Sequence, residues 1–157
     1  AAGTFATVQD LVTAIRQVRA QYNVPPSQGV RALIVTGDAA TATALDGARE
    51  YVERLAGLSD LTIGADLDKP SASAAVVVGP HVVYVPLEGM IDLDVERQRL
   101  QKEIDAKRGF LGGVEKKLQN EAFVSRAPEA VVAKERQKAE DAKAEIAALQ
   151  ANLADLG

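Results

Sequence analysis

A chain of 157 residues with no cysteine and a formal charge of −4 is long enough for one ordinary domain or two small ones. It excludes a disulfide framework, a thiol nucleophile and a cysteine-held zinc. Residues 1 to 91 are rich in Val, Ala, Thr, Gly and Pro, whereas residues 92 to 157 are mostly Ala, Leu, Glu, Lys, Gln and Arg, the composition of long helices.

In chain order, Val8, Leu11, Val12, Ile15, Val18 and Tyr22 mark one face of a first helix, stopped by Asn23-Val24-Pro25-Pro26 because proline lacks the donor a helix interior needs. Val30 to Thr36 reads as a strand. Asp38 is placed to cap a second helix whose Leu45, Ala48, Val52 and Leu55 share a face, with Gly57 as its left-handed stop. Leu61 to Gly64, Ala74 to Val78 and Val82 to Val85 read as short strands, the last two joined around Gly79-Pro80 as a hairpin. Helix, strand, helix and three strands are buried most economically as a sheet with one face covered by helices. Residues 66 to 73 carry the weakest pattern, and Glu88-Gly89 marks a hinge.

Beyond the hinge, Leu93, Arg97, Leu100, Ile104, Lys107, Leu111, Val114 and Leu118 step by four and three, which keeps side chains on one coiled-coil stripe. Val132, Glu135, Ala139, Ala142, Ile146, Leu149, Leu153 and Leu156 do the same. The stripes match if the chain folds back antiparallel, with Leu93 opposite Leu156, Leu100 opposite Leu149, Ile104 opposite Ile146 and Leu118 opposite Val132. Farther out the partners shrink or become polar: Lys107 faces Ala142, Leu111 faces Ala139 and Val114 faces Glu135. Gly109, Gly112 and Gly113 fall in the same region, and each costs roughly 1 kcal/mol relative to alanine inside a helix. The arm is therefore expected to bend or fray between about residues 107 and 115. The expected class is α+β: a small helix-covered mixed sheet over residues 1–89, followed by a long antiparallel coiled-coil hairpin over residues 90–157.

Charge is unevenly spread along that hairpin. Between 107 and 138, Lys107, Arg108, Lys116, Lys117, Arg126, Lys134, Arg136 and Lys138 stand against four acids, a net +4. Residues 92–106 and 139–157 together carry four bases and nine acids, a net −5. A cationic far end on an acidic body attracts phosphate at that end and discourages it elsewhere. Mixed charge is also what any solvated coiled coil displays. Glu96 and Glu103 read as helix supports paired with nearby bases.

Catalytic groups are sparse. His81 is the single histidine and reads as a turn residue beside Pro80. No serine has a base partner in view. Gly109-Phe110-Leu111-Gly112-Gly113 follows a helix rather than a strand and lacks a Lys-Ser or Lys-Thr, so it does not read as a phosphate loop. No catalytic or metal site, and no cofactor within the chain, is expected. With no run of about 18 apolar residues and no signal-like start, the chain is expected to be soluble and without a membrane partner; a cytoplasmic location is expected too, and a monomer, since a second hairpin would bury Arg97, Lys107 and Glu135 of the seam further.

The residues across the turn are more specific than the heptads. Leu118-Gln119-Asn120-Glu121-Ala122-Phe123-Val124-Ser125-Arg126-Ala127-Pro128-Glu129-Ala130-Val131-Val132-Ala133-Lys134-Glu135 resembles the C-terminal coiled coil of bacterial valyl-tRNA synthetases, matching the family's turn pattern at positions 118, 120, 121, 123, 124, 127, 128, 131, 132 and 135. Ile15 to Pro26 is similar to the helix that closes the family's anticodon-binding region, and Pro86 to Asp92 to its lead into the coil. The resemblance covers essentially the whole chain, and the glycine cluster departs from it. It implies a C-terminal fragment without the ATP-dependent catalytic domain and without the editing domain. It further implies a tRNA partner, contacted by the arm at the outer corner where the D and T loops meet. Lys107, Arg108, Lys116, Lys117, Arg126, Lys134, Arg136 and Lys138 would then meet phosphates, a term that positions RNA without reading its sequence. Phe123 either stacks on an exposed base or plugs the end of the seam near Leu118 and Val132. Pro128 fixes the start of the second arm, and Arg16 and Arg19 are favoured as structural supports over RNA contacts. The rival reading is a coiled-coil protein-interaction module with no nucleic-acid role.

Overall fold

The computed structural model describes residues 2–157; Ala1 lies outside them. The chain divides into two compact units, one made of residues up to Leu93 together with Asp155–Gly157, the other of Asp94–Ala154.

In the first unit, helix α1 (Ala2–Gln21) turns every one of its expected apolar residues inward, and Val8, Leu11, Val12, Ile15, Val18 and Tyr22 are all buried. Its stop is the left-handed Asn23, at φ 53°, before the two prolines. Strand β1 (Val30–Val35) is followed by α2 (Ala39–Gly47) and α3 (Arg49–Ala56), then β2 (Leu58–Gly64), β3 (Ser73–Val78) and β4 (His81–Pro86). The sheet order is β2-β1-β4-β3. β1 and β2 run parallel, which requires a crossover, supplied by α2 and α3. β4 pairs antiparallel with both β1 and β3. Ile34 sits opposite Val83, and Val30, Ala32, Ile34, Val83 and Val85 are at most 1% exposed. That face carries the core, while α1 packs on β3 and β4, and α2 and α3 on β2. The mixed, helix-covered sheet is the one expected.

Local details correct several expectations. The single helix between Asp38 and Gly57 is two helices that break at Ala48, after Gly47, a weak helix former. There Arg49 donates to the Leu61 carbonyl of β2 and pairs with Asp46 at 3.1 Å. Leu45 and Val52 are buried, but the break leaves Leu55 41% exposed rather than on the shared face. Asp38 holds the N-cap position without an amide bond; its carboxylate accepts from the Thr41 hydroxyl at 2.6 Å, which holds its pKa below the usual range. Gly57 is left-handed as expected, at φ 67°. His81 is no exposed turn residue. It opens β4, is 4% exposed, and places Nδ1 2.8 Å from Thr36 Oγ1. At the chain's end, Asp155 accepts from Lys69 Nζ at 2.6 Å and from the edge-strand amide of Ala75 at 3.2 Å, and Leu156 is fully buried.

The second unit is the hairpin of α4 (Leu93–Gln119) and α6 (Glu129–Asp155), each 27 residues and therefore about 40 Å long. All sixteen seam residues read from the sequence are buried or half-buried, and outside them only Glu96, Arg99 and Glu103 of α4 and Asn152 and Asp155 of α6 are less than exposed. Leu100 and Ile104 are 1% exposed, each contributing about 1.5–3 kcal/mol by burial. The outer seam is thinner: Val114, Glu135, Ala139 and Ala142 fill it. α4 is helical without a break through Gly109, Gly112 and Gly113, where a bend or fraying was expected, with Lys107 and Leu111 half-buried and Val114 buried along the seam there.

Candidate nucleic-acid interface

The far end of the hairpin is built by three local devices. Gln119 ends α4, and the side-chain Oδ1 of Asn120 accepts from the amides of Ala122 and Phe123 at 3.0 and 3.3 Å, capping a short helix α5 (Glu121–Arg126). The break read from the sequence thus contains a helix of its own, one turn and a half long and too short for a periodic signal. Ala127 is extended at ψ 147°, as a residue before proline prefers. The Pro128 carbonyl then receives the amides of Val131 and Val132 at 3.0 and 3.1 Å, starting α6.

The cations fall into two groups. Lys107 pairs across the hairpin with Glu145 at 2.5 Å, while Lys117 and Lys138 converge on Glu135 at 3.5 and 3.0 Å. The two that cross between the helices, Lys107–Glu145 and Lys117–Glu135, flank the seam in the antiparallel register expected from the heptads. Glu135 is 6% exposed; the hydrogen bond from Lys138, reinforced by the charge of Lys117, holds its pKa below the ordinary glutamate value against the opposing effect of burial. By contrast Arg108, Lys116, Arg126, Lys134 and Arg136 are exposed, and none makes an ion pair among the described residues. Of the four inner bases three are paired: Arg97 with Asp94 at 2.9 Å, Arg99 with Glu96 and Glu103, and Lys143 with Glu140 at 3.3 Å, while Lys102 is exposed without an ion pair among the described residues. Unpaired cations are therefore concentrated on the outer half.

Phe123 is half-buried, with the Lys117 ammonium 5.1 Å from its ring centroid. Phe110, which lies off the seam spacing and had no assigned part in the sequence reading, is 54% exposed in the middle of α4. Its only sequence signal was an aromatic at a position the four-three stepping leaves outside. Arg19 is a support, donating to the carbonyls of Gly57 and Pro25 at 2.9 and 2.8 Å. Arg16 is exposed and takes no such part. Among the described residues, no group of three His, Cys, Asp or Glu is placed to hold a metal ion, and no helix is long and apolar enough to cross a membrane.

Residues 92–157 match the family model described as the valyl tRNA synthetase tRNA binding arm. The chain is 43% identical over 151 residues to a valine–tRNA ligase of Nitratidesulfovibrio vulgaris, covering 94% of this chain and 17% of that relative. It is 40% identical over 148 residues to that of Geobacillus stearothermophilus (94% and 17%) and 37% over 156 residues to that of Bacillus subtilis (99% and 18%). The chain thus spans about a sixth of the length of these relatives. With the antiparallel arm, its capped turn and the matched residues in place, the chain belongs to the valyl-tRNA synthetase family, as a C-terminal piece of it that carries the tRNA-binding arm.

Proposed function

We propose that this chain binds tRNA through the outer half of its hairpin, at the outer corner where the D and T loops meet, and so holds the substrate for an ATP-dependent valine–tRNA ligase whose catalytic site and ATP lie in other parts of the polypeptide. The chain itself performs no catalytic step in this reading and works in the cytoplasm as a monomer. The observation that carries it is the separation of charge: five exposed cations without acidic partners on the outer half, against three paired cations and a single unpaired one, Lys102, nearer the base. Phosphates would displace water and counterions from Arg108, Lys116, Arg126, Lys134 and Arg136 without first breaking an ion pair. Lys107, Lys117 and Lys138 would keep their carboxylates and add a longer-range field. Such contacts position a folded RNA and leave its identity to be read elsewhere.

The two seams are consumed by each other, which leaves no continuous apolar stripe to recruit a further helix. That favours RNA over a helical protein partner. Replacing Lys116, Lys117, Lys134 and Arg136 together by alanine, which removes charge from every side of the outer half, should weaken tRNA binding by at least about tenfold at low salt with helix content unchanged. Unaltered affinity in a folded variant would refute the assignment.

A further inference from the structure

We infer that the arm meets RNA with one particular flank, the one bearing Phe110, Lys117, Lys134 and Lys138, and that the Phe110 ring stacks there on the face of an unpaired base. This rests on the tRNA-binding reading above and adds to it a side and an aromatic contact.

Phe110 lies three residues after Lys107 and seven before Lys117, a spacing that puts all three on one side of α4. Lys117 reaches across to Glu135, which Lys138 also bonds, and Lys134 precedes Lys138 by one helical turn, so α6 contributes two lysines to the same side. The one carboxylate among them, Glu135, is buried, so the outward groups are ammonium ions. Nearer the base, Glu145 and Asp141 are engaged by Lys107 and Gln137. The phenyl ring is more than half exposed, and Gly113, one turn away, adds no side chain to cover it. The opposite flank is different in kind: Arg136 and Lys143 line a groove there together with Glu115 and Glu140, and no aromatic joins them.

An exposed ring on the same flank as the exposed Lys134 and the carboxylate-paired Lys117 and Lys138 combines the two sequence-tolerant ways of holding unpaired nucleotides. Lysines neutralise the backbone, and a base stacks on the ring. Phe123, by comparison, already has its ring beneath Lys117.

The test measures tRNA affinity of the whole chain by fluorescence anisotropy at several salt concentrations, with helix content checked for each variant. Phe110→Ala should weaken binding about tenfold and leave the salt dependence unchanged, since no charge is removed. Phe110→Trp should bind as tightly as the native chain, and Phe110→Leu as weakly as the alanine variant. Lys134→Gln with Lys138→Gln should lower the slope of log affinity against log salt by about 1.5, while Arg136→Gln with Lys143→Gln should lower it by no more than about half as much. Native-like binding by Phe110→Ala, or equal losses from the two lysine and arginine pairs, would overturn the flank assignment while leaving tRNA binding intact. A native dimer in sedimentation that Phe110→Ala abolishes would likewise overturn it. Absence of tRNA binding by the native chain would instead sink the functional reading itself.

Discussion

Replacing Gly109, Gly112 and Gly113 by alanine together should stabilise the outer half of the arm. The unbroken α4 places all three in helical backbone, and a Cβ added at any of them meets nothing within 4 Å. Neither a clash nor a new packing contact enters, so the effect reduces to intrinsic helix preference. That is about 0.5–1 kcal/mol for each glycine, or about 1.5–3 kcal/mol for the three. Native-state amide exchange at Leu111 and Val114 reads the local opening free energy directly, without interference from the first unit. The variant should exchange about 10- to 150-fold more slowly at these amides, with little change around Leu45 or Val83. A change of less than about threefold, or faster exchange, would refute the reasoning, because it would mean that the native backbone there is not helical or that the glycines sit against something a methyl group displaces.

Other expectations follow from the same geometry. Ile104→Ala, at a position 1% exposed in the seam, should cost about 2–5 kcal/mol in denaturant unfolding of the hairpin; a loss below about 1 kcal/mol would show that the seam is not closed there. Asn120→Ala removes the acceptor for two amides of α5 and should destabilise the turn by about 1 kcal/mol, seen as faster exchange at Ala122 and Phe123 but not at Leu100. Because the Glu135 carboxyl has its pKa lowered chiefly by Lys138, its contribution to stability is present above the ordinary glutamate range and is lost as pH falls through and below it. Glu135→Gln should flatten the acid limb of hairpin stability below about pH 4.5, and an unchanged acid limb would show that the Lys117–Glu135–Lys138 cluster does not form in solution.

The sequence carried the hairpin well because one physical rule dominates it. A seam of side chains at four-three spacing can be closed by one register alone, and the bridges Lys107–Glu145 and Lys117–Glu135 fall beside that register. The first helix was equally legible, since its six apolar residues needed no partner to be assigned a face. What stayed hidden depended on neighbours distant in sequence. The strand order β2-β1-β4-β3 follows from which hydrophobic faces meet. The break at Ala48, after Gly47, places Arg49 where it reaches a carbonyl twelve residues away. The burial of His81 follows from the pairing that brings β4 beside β1 and Thr36.

The candidate interface was half legible. Net charge along the chain located the cations, but composition cannot say which of them a carboxylate already occupies. Lys107 and Lys117 look the same in sequence as Lys116 and Lys134, and the fold separates them by bringing Glu145 and Glu135 from the opposite arm, whereas Lys138 meets Glu135 within its own helix. Phe110 was passed over because it sits within a glycine-rich stretch. Only an unbroken helix shows that its ring is exposed on the same flank as the lysines.

The central claim is that the outer half of the hairpin holds folded tRNA mainly through its phosphates. A titration of the native chain with tRNA between about 50 and 200 mM salt tests it most directly. With about five unpaired cations engaged, log affinity should fall against log salt with a slope of about −3.5 to −4.5. A slope near zero, or no binding at the lowest salt, would contradict it.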